Sequence, residues 1–330
     1  MQAITFTGYG QTAITEIPRP ALRDPLDAIV LVTTTAIGPW DIQAFLNTNL
    51  NEFTPGGEFA GIVVETGEAV SHVEIDDLVA NTVQHVSKNG ITDLFGSNTL
   101  PGGHAEYVRV PDADRSLVKI AASGEERAVL AGGTAGLGVG VANAALKTAR
   151  NGSYAIVGCD PIGMTALIAL EAAGAKSRTI AVEDHNARRT LAARFASKTF
   201  STNDCLRNTN VEVVIAGATS NATHFNKIAN LVKPDGSLIF SEPYGPVKLM
   251  ESGITLPENV LVSCSKWPDA TEAKRVVTSM QIKKLDLTPV VSHVIPLDEA
   301  QEAYEAAAEP GRRARGAGPG GRPAARRVPP

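Results

Sequence analysis

An apolar run, Tyr154-Ala155-Ile156-Val157, leads into Gly158-Cys159-Asp160-Pro161-Ile162-Gly163 and then an Ala/Leu-rich segment. Residues of these types at this spacing can hold an anion. A tight turn delivers the chain into a helix whose unpaired N–H groups and positive dipole end face outward. Gly158 permits the turn and Gly163 lets helix and strand approach closely. Pro161 suits the first helical turn, where an N–H is not needed. The ligand such a strand–turn–helix takes is a dinucleotide pyrophosphate, with Gly158, Cys159, Asp160, Pro161, Ile162 and Gly163 as candidate contacts. Asp160 departs from the pattern. It stands at the middle glycine of G-x-G-x-x-G, where a carboxylate would crowd and repel a pyrophosphate. An ordinary strand-to-helix turn is the competing reading.

A second group strengthens the first. Glu183 closes the next apolar run, Thr179-Ile180-Ala181-Val182. An acid at that place accepts hydrogen bonds from the adenosine ribose hydroxyls and repels a 2′-phosphate, which favours NADH. Arg188 and Arg189 follow closely, so NADPH stays open and the cofactor expectation is NAD(P)H. Read by itself, Glu183 is also compatible with a solvated loop acid.

The elements that must position these residues follow from periodicity. Residues 1–120 read as β-rich, with runs at Ala28–Val32, Phe59–Glu65 and Glu106–Val110 broken by Gly, Pro and Asp. From about residue 125 the pattern alternates. Helix is expected over Glu126–Arg150, strand over Tyr154–Gly158 and helix over Pro161–Gly174. Strand follows at Thr179–Val182, helix at Asn186–Ala196, strand at Val211–Ile215, helix at Ala222–Val232 and strand at Ser237–Phe240. Alternation of this kind builds a parallel sheet covered on both faces. Asn259–Ser263 and Val290–Val294 read as further strands, Ala270–Lys283 and Leu297–Ala308 as helices.

Composition narrows the class. The 330 residues are 43% hydrophobic, 20% charged and 5% aromatic, an ordinary globular balance with room for two cores. Thirty Lys+Arg against 35 Asp+Glu gives −5, which argues against a general affinity for nucleic acid. That charge is uneven. Gly311–Pro330 holds six arginines and no acid, so residues 1–310 carry 24 basic against 35 acidic side chains, or −11. No apolar run is long enough to span a membrane and no signal peptide is evident at Met1. Cys159, Cys205 and Cys264 are too scattered for a disulfide framework, so the expected compartment is the cytoplasm.

Taken together these segments resemble the medium-chain dehydrogenase/reductase superfamily. Pro55-Gly56-Gly57-Glu58-Phe59-Ala60-Gly61-Ile62-Val63 is similar to its P-G-x-E-x-A-G-x-V segment, and Asp76-Asp77-Leu78-Val79 to its G-D-R-V. Gly102-Gly103-His104-Ala105-Glu106-Tyr107 resembles G-G-x-A-E-Y, and Leu231–Ser237 the L-x-P-G-G turn. Val291–Leu297 is similar to its late strand. The order and spacing of these segments are specific where no single one is. The resemblance implies an α/β fold: a GroES-like β-rich catalytic domain (1–120 plus 266–310) with an inserted Rossmann doubly wound parallel-sheet domain (121–265). Residues 311–330 form a basic Gly/Pro/Arg tail, expected to be disordered. The family's closing strand has no counterpart there, which is read as a shifted reading frame near residue 310 in preference to a basic binding tail. The site should lie between the domains, at the carboxyl ends of the Rossmann strands.

The superfamily divides on zinc. The places of its metal ligands resemble Gly38, Gly57 and Gly132, and Ser87–Leu100, in the place of its structural zinc lobe, has no cysteine. Glycine offers no side-chain ligand and a catalytic zinc takes three, so no metal is expected. The pattern is closer to the zinc-free quinone oxidoreductases and enoyl reductases, whose N-P-x-D is partly matched by Gly38-Pro39-Trp40-Asp41. Without a Lewis acid, alcohol oxidation is hard. Hydride transfer to an electron-poor C=C or quinone needs only donors for the developing oxyanion.

The resemblance implies further site residues. Trp40 could wall a flat substrate, and simple packing is its alternative. Asp41 organises its loop more readily than it catalyses, and Glu58 pairs structurally. Tyr244, just past a strand, is a candidate proton donor. Thr134 should lie near the nicotinamide, and Ala218 and Thr219 near its ribose. His104 and His293 read as structural strand residues. Cys159, at a helix N-terminus where thiol pKa falls, reads as packing. The expectation is a zinc-independent reductase of an α,β-unsaturated carbonyl or quinone, of the kind used in tailoring secondary metabolites. A catalytically lost nucleotide-binding scaffold or redox sensor is the alternative, and an alcohol dehydrogenase the third. A homodimer through Asn259–Ser263 is expected, with no nucleic-acid or membrane partner.

Overall fold

The structure is a computed structural model and describes residues 1–47, 53–86, 92–122, 124–149, 151–204, 209–217, 222–241 and 249–308. Tyr244, Ala218, Thr219 and the 311–330 segment lie outside them. The chain opens with a hairpin, β1 (Gln2–Gly8) and β2 (Gln11–Glu16). It continues through β3 (Ala28–Ala36), α1 (Pro39–Phe45), β4 (Glu58–Thr66), β5 (Leu78–Asn81), β6 (Gln84–Val86) and β7 (Thr92–Leu94). Then come β8 (Tyr107–Val110), α2 (Ala113–Ser116) and β9 (Leu117–Lys119). Five of these strands form an antiparallel sheet in the order β8-β3-β4-β5-β9. Its alternating β-branched residues bury Val30, Phe59, Val63, Val79 and Val108 on one face.

The second half is α/β. After α3 (Glu125–Ala128) and α4 (Thr134–Thr148) come β10 (Tyr154–Val157), α5 (Pro161–Ala172), β11 (Thr179–Val182), α6 (Asn186–Ala192) and β12 (Lys198–Phe200). Then follow β13 (Val211–Ala216), α7 (Ala222–Leu231), β14 (Val232–Phe240) and β15 (Leu261–Cys264). The six strands run parallel in the order β12-β11-β10-β13-β14-β15. Every residue of β10 and β11 is buried, as expected of inner strands covered on both faces. The switch of direction falls at β10, between β11 and β13, and places a crevice at the carboxyl ends of these strands. The fold is the α/β arrangement expected: a GroES-like antiparallel sheet and a doubly wound parallel sheet.

One apolar core joins the two halves. Ala60, Ala80 and Val118 of the antiparallel sheet share it with Val141 of α4, Tyr154 and Ile156 of β10, and Val276 of the helix Ala270–Gln281. Phe6, Phe45 and Tyr304 form a smaller cluster that docks the helix Ala300–Ala308 onto α1 and the first hairpin.

Three expectations on elements are corrected. The helix over Glu126–Arg150 is two helices, because Gly132 bridges Thr82 in the neighbouring sheet, and a Cβ there would collide with the Asn81 carbonyl. Val290–Val294 is not a strand: Pro289 lies within a short 3-10 turn at Thr288–Val290, and irregular backbone follows. His293 is therefore an exposed loop residue. The last parallel strand is Leu261–Cys264, shifted from Asn259–Ser263 because Asn259 adopts φ 58°, outside the extended region.

Candidate active site

Two loops of the antiparallel half meet on one carboxylate. Asp41 lies in the first turn of α1 and is fully buried. It accepts the N–H groups of Gly38 (2.9 Å), Gly56 (3.0 Å) and Gly57 (3.3 Å). Burial pushes its pKa up to about 6, even though those three N–H groups favour the ionised form. Asp41 thus ties the 38–41 turn to the 55–57 loop, which is the organising role expected of it.

Glu58 starts β4 and is likewise buried. It accepts the Thr134 N–H at 2.6 Å and the Thr134 hydroxyl at 2.9 Å. Thr134 is the first residue of α4, and no side chain caps that helix from Gly133. A carboxylate borrowed from the other sheet therefore satisfies an amide the helix cannot satisfy itself. Burial, with Asp41 nearby, pushes Glu58 up to about 8. Gly133 must be small here, because a Cβ would fall 2.5 Å from Glu58 Oε1.

The indole of Trp40 fills the space above this platform. A Cβ on Gly38 would fall 2.5 Å from Trp40 Cε2 and Cζ2, and one on Gly57 would overlap Nε1. The Nε1 atom is buried and has no hydrogen-bond partner among the described residues. Trp267 meets Trp40 in a T-shaped contact, with ring centroids 5.2 Å apart and planes at 71°. Trp267 was not singled out from sequence. Its position just past an apolar strand, as one of only two tryptophans, is a signal that could have found it.

The turn after β10 has the expected shape. Gly158 has φ +88°, a Cβ on Gly163 would overlap the Gly158 carbonyl, and a Cβ on Gly217 would fall 2.7 Å from that same oxygen. Pro161 opens α5, and Ile162 is buried behind it. Two carboxylates already use the amides here. Asp160 caps α5 by accepting the Gly163 N–H at 2.8 Å. Glu183 is buried rather than solvated, and accepts the N–H groups of Cys159 (2.7 Å) and His185 (2.8 Å). Arg188 Nη2 stands 3.4 Å from Glu183, and Arg189 bonds the carbonyls of Glu183 and Asp184. The backbone fits a dinucleotide, while Asp160 sets a negative group where its phosphates would approach.

Cys159 packs in the core, as read from sequence, and His104 lies buried in a bend rather than in a strand. Burial pushes the Cys159 thiol up instead of the helix N-terminus drawing it down. His104 is structural: it is buried, its Nδ1 meets the Tyr304 hydroxyl at 2.9 Å, and burial lowers its pKa to about 4.

The residues present do not fit a catalytic zinc. Gly38 and Gly57 lie against the indole, and Gly132 against the Asn81 carbonyl, with no room for a ligating side chain. Asp41 and Glu58, the carboxylates beside them, are engaged with N–H and hydroxyl donors. Among the described residues no three His, Cys, Asp or Glu side chains are grouped to hold a metal.

Comparison with known proteins defines the class. Residues 24–122 match the alcohol dehydrogenase GroES-like domain. Over most of its length the chain shares its α/β fold with solved alcohol dehydrogenases. It superimposes on alcohol dehydrogenase TADH from Thermus sp. ATN1 with a TM-score of 0.76 and 22% identity, covering 93% of this chain and 96% of that one. The uncharacterized zinc-type alcohol dehydrogenase-like protein AdhB of Bacillus subtilis is 26% identical, over 92% of this chain and 96% of its own. Zinc-type alcohol dehydrogenase B of Aspergillus flavus is 31% identical over 188 residues, 51% of this chain. The match spans only 44% of the length of that relative.

Proposed function

We propose that the chain is an NAD(P)H-dependent oxidoreductase of the medium-chain type that reduces an α,β-unsaturated carbonyl or a quinone without zinc. The observation that carries this reading is the packing at positions 38, 57 and 132. All three are glycine, two lie against the Trp40 indole, and none has space for a metal ligand. The strand–turn–helix at Gly158–Gly163 and the carboxyl-end crevice support a dinucleotide. A dinucleotide held at the Gly158–Gly163 turn would supply hydride to the electron-poor carbon of the acceptor, and a proton from solvent or a side chain would complete the reduction. Tyr244 is proposed as that donor, and Thr134, Ala218 and Thr219 as neighbours of the nicotinamide. Two copies are proposed to pair through the β15 edge.

Oxidation of NADH or NADPH, followed with several enones and quinones, tests the reading. No oxidation of either cofactor across the panel would reject it. The zinc-type names of the relatives favour a second reading, an alcohol dehydrogenase. The missing ligand side chains weigh against it, and alcohol-dependent reduction of NAD+ by a zinc-loaded sample would establish it. The engagement of Asp160 and Glu183 with the amides of the turn supports a third, a nucleotide-binding scaffold without turnover.

A further inference from the structure

We infer that Tyr304 and His104 act together as positioning residues: they brace the Gly56–Gly57 loop against Asp41 from behind and so set where the Trp40 indole stands. This rests on the hydride-transfer reading only in taking Trp40 to stand at the reaction site.

Tyr304 lies on the helix Ala300–Ala308, 200 residues along the chain from His104, and both side chains are buried. The Tyr304 hydroxyl meets His104 Nδ1 at 2.9 Å, with the ring centroids 5.6 Å apart. Burial, with the Asp41 carboxylate nearby, pushes the phenol above its ordinary range, so it keeps its proton. Burial also keeps the imidazole neutral at pH 7, although the Ala36 carbonyl is close enough to favour its protonated form. The fewest polar atoms are left unpaired if the phenol donates to Nδ1 and the ring proton sits on Nε2. Nε2 makes no hydrogen bond of its own. The Tyr304 hydroxyl is thus the group that holds the imidazole in its plane.

That plane matters to the loop in front of it. The His104 N–H donates to the Pro55 carbonyl at 3.0 Å, and the Gly103 N–H to the Gly56 carbonyl at 2.8 Å. Gly56 has φ +100°, and a Cβ there would fall 2.5 Å from His104 Cδ2. The ring edge therefore limits how far Gly56 can move back. The N–H groups of Gly56 and Gly57 both donate to Asp41 Oδ1, and Oδ2 receives the Gly38 N–H. Gly38 and Gly57 are the glycines on which the Trp40 indole is seated. Tyr304 reaches the other side of this junction too. Its ring stacks on Phe45, the last residue of α1, with centroids 5.0 Å apart and planes at 29°. Because α1 also carries Trp40 and Asp41, one side chain braces both segments that Asp41 ties together. Phenylalanine at 304 would fill the same space and keep the stacking. Only the tie to the imidazole would go, leaving Nδ1 unpaired in a dry site, and the ring would turn to relieve it.

The test is Tyr304→Phe in a Trp267→Phe background, where Trp40 is the only tryptophan. Emission and acrylamide quenching of Trp40 are read where circular dichroism shows both proteins folded. The expected result is a red-shifted emission and a higher quenching constant. His104→Leu should give the same shift, and Tyr304→Phe should add nothing to it. His104→Asn, which keeps an acceptor at the place of Nδ1, should restore the parental signal. Phe6→Leu loosens the same aromatic cluster but keeps the hydroxyl and the imidazole. It should lower the denaturation midpoint and leave Trp40 unchanged. An unchanged Trp40 signal in Tyr304→Phe, or an equal shift in Phe6→Leu, would overturn the inference. If Tyr304→Phe does not fold, His104→Asn against His104→Leu decides. In turnover, Tyr304→Phe should lower kcat about tenfold, less than the roughly hundredfold of a misplacement of about 1 Å. Cofactor affinity should stay at the parental value. A shifted Trp40 signal with parental kcat would remove the positioning role. A parent that oxidises neither cofactor would reject the reductase reading, while the fluorescence result would still hold the pair in place behind Trp40.

Discussion

Glu58 at the start of β4 receives both the N–H and the hydroxyl of Thr134, at 2.6 and 2.9 Å, and so caps α4 from across the junction of the two halves. The contact fixes the opening of α4, the helix that leads into β10, relative to the loop that carries Gly57. Because Glu58 is buried, its protonation is coupled to folding. Its pKa is raised from the ordinary 4.5 to about 8, so between these values the folded chain holds a proton that the unfolded chain releases. Stability from this group is complete below pH 4.5 and is lost as pH rises toward 8. Asp41, raised to about 6, acts in the same direction over the lower part of that window. Denaturation midpoints measured from pH 5 to 8.5 should fall. Glu58→Gln, which keeps one acceptor for Thr134, should flatten the decline above pH 6 and stay within about 1 kcal/mol of the parent at pH 5. A decline unchanged in the variant would remove Glu58 as its source.

Gly57 and Trp40 should be coupled. Gly57→Ala places a methyl against the indole and should cost about 1–3 kcal/mol, the range for overpacking. In a Trp40→Ala background the same change should cost little, because the ring is gone. A double-mutant cycle by urea denaturation measures this. Additive effects would mean that the indole does not fill the space above Gly57.

Asp160 should trade helix stability against anion binding. Asp160→Gly removes the cap on Gly163 and should lower stability by a few tenths to about 1 kcal/mol. The same change removes a negative charge from the phosphate approach and should tighten both NADH and NADPH. Fluorescence or calorimetric titration reads the affinities. Unchanged affinities would show that the pyrophosphate does not lie over this turn.

Leu261, at the start of edge strand β15, is 62% exposed. If two copies pair through this edge, Leu261→Lys should shift the chain from dimer to monomer in sedimentation velocity without loss of fold. A parent that sediments as a monomer would reject the pairing.

Much of the architecture was legible because its signals are local. Thr179–Val182 was located to the residue from a short β-branched run between turn signals, and Asp160 was marked by a charge where a glycine is usual. The break at Gly132–Gly133 was not legible, since helix-forming residues flank it and its cause is a tertiary bridge to Thr82. Val290–Val294 has strand composition but follows a proline that lies within a 3-10 turn. In the site, the hydrogen bonds of Asp41 matched the loop role read from its motif. The inward turn of Glu183 and the meeting of Trp40 with Trp267 depend on packing between segments far apart in sequence, which no local pattern encodes.

The central claim is hydride transfer without a metal. Its most direct measurement is the initial rate of NADH and NADPH oxidation with a conjugated enone, before and after prolonged treatment with 1,10-phenanthroline, with zinc content determined on the same sample. The account predicts enone-dependent oxidation that the chelator does not change, in a protein holding far less than one zinc per chain. Stoichiometric zinc, with chelator-sensitive alcohol oxidation in place of enone reduction, would contradict it.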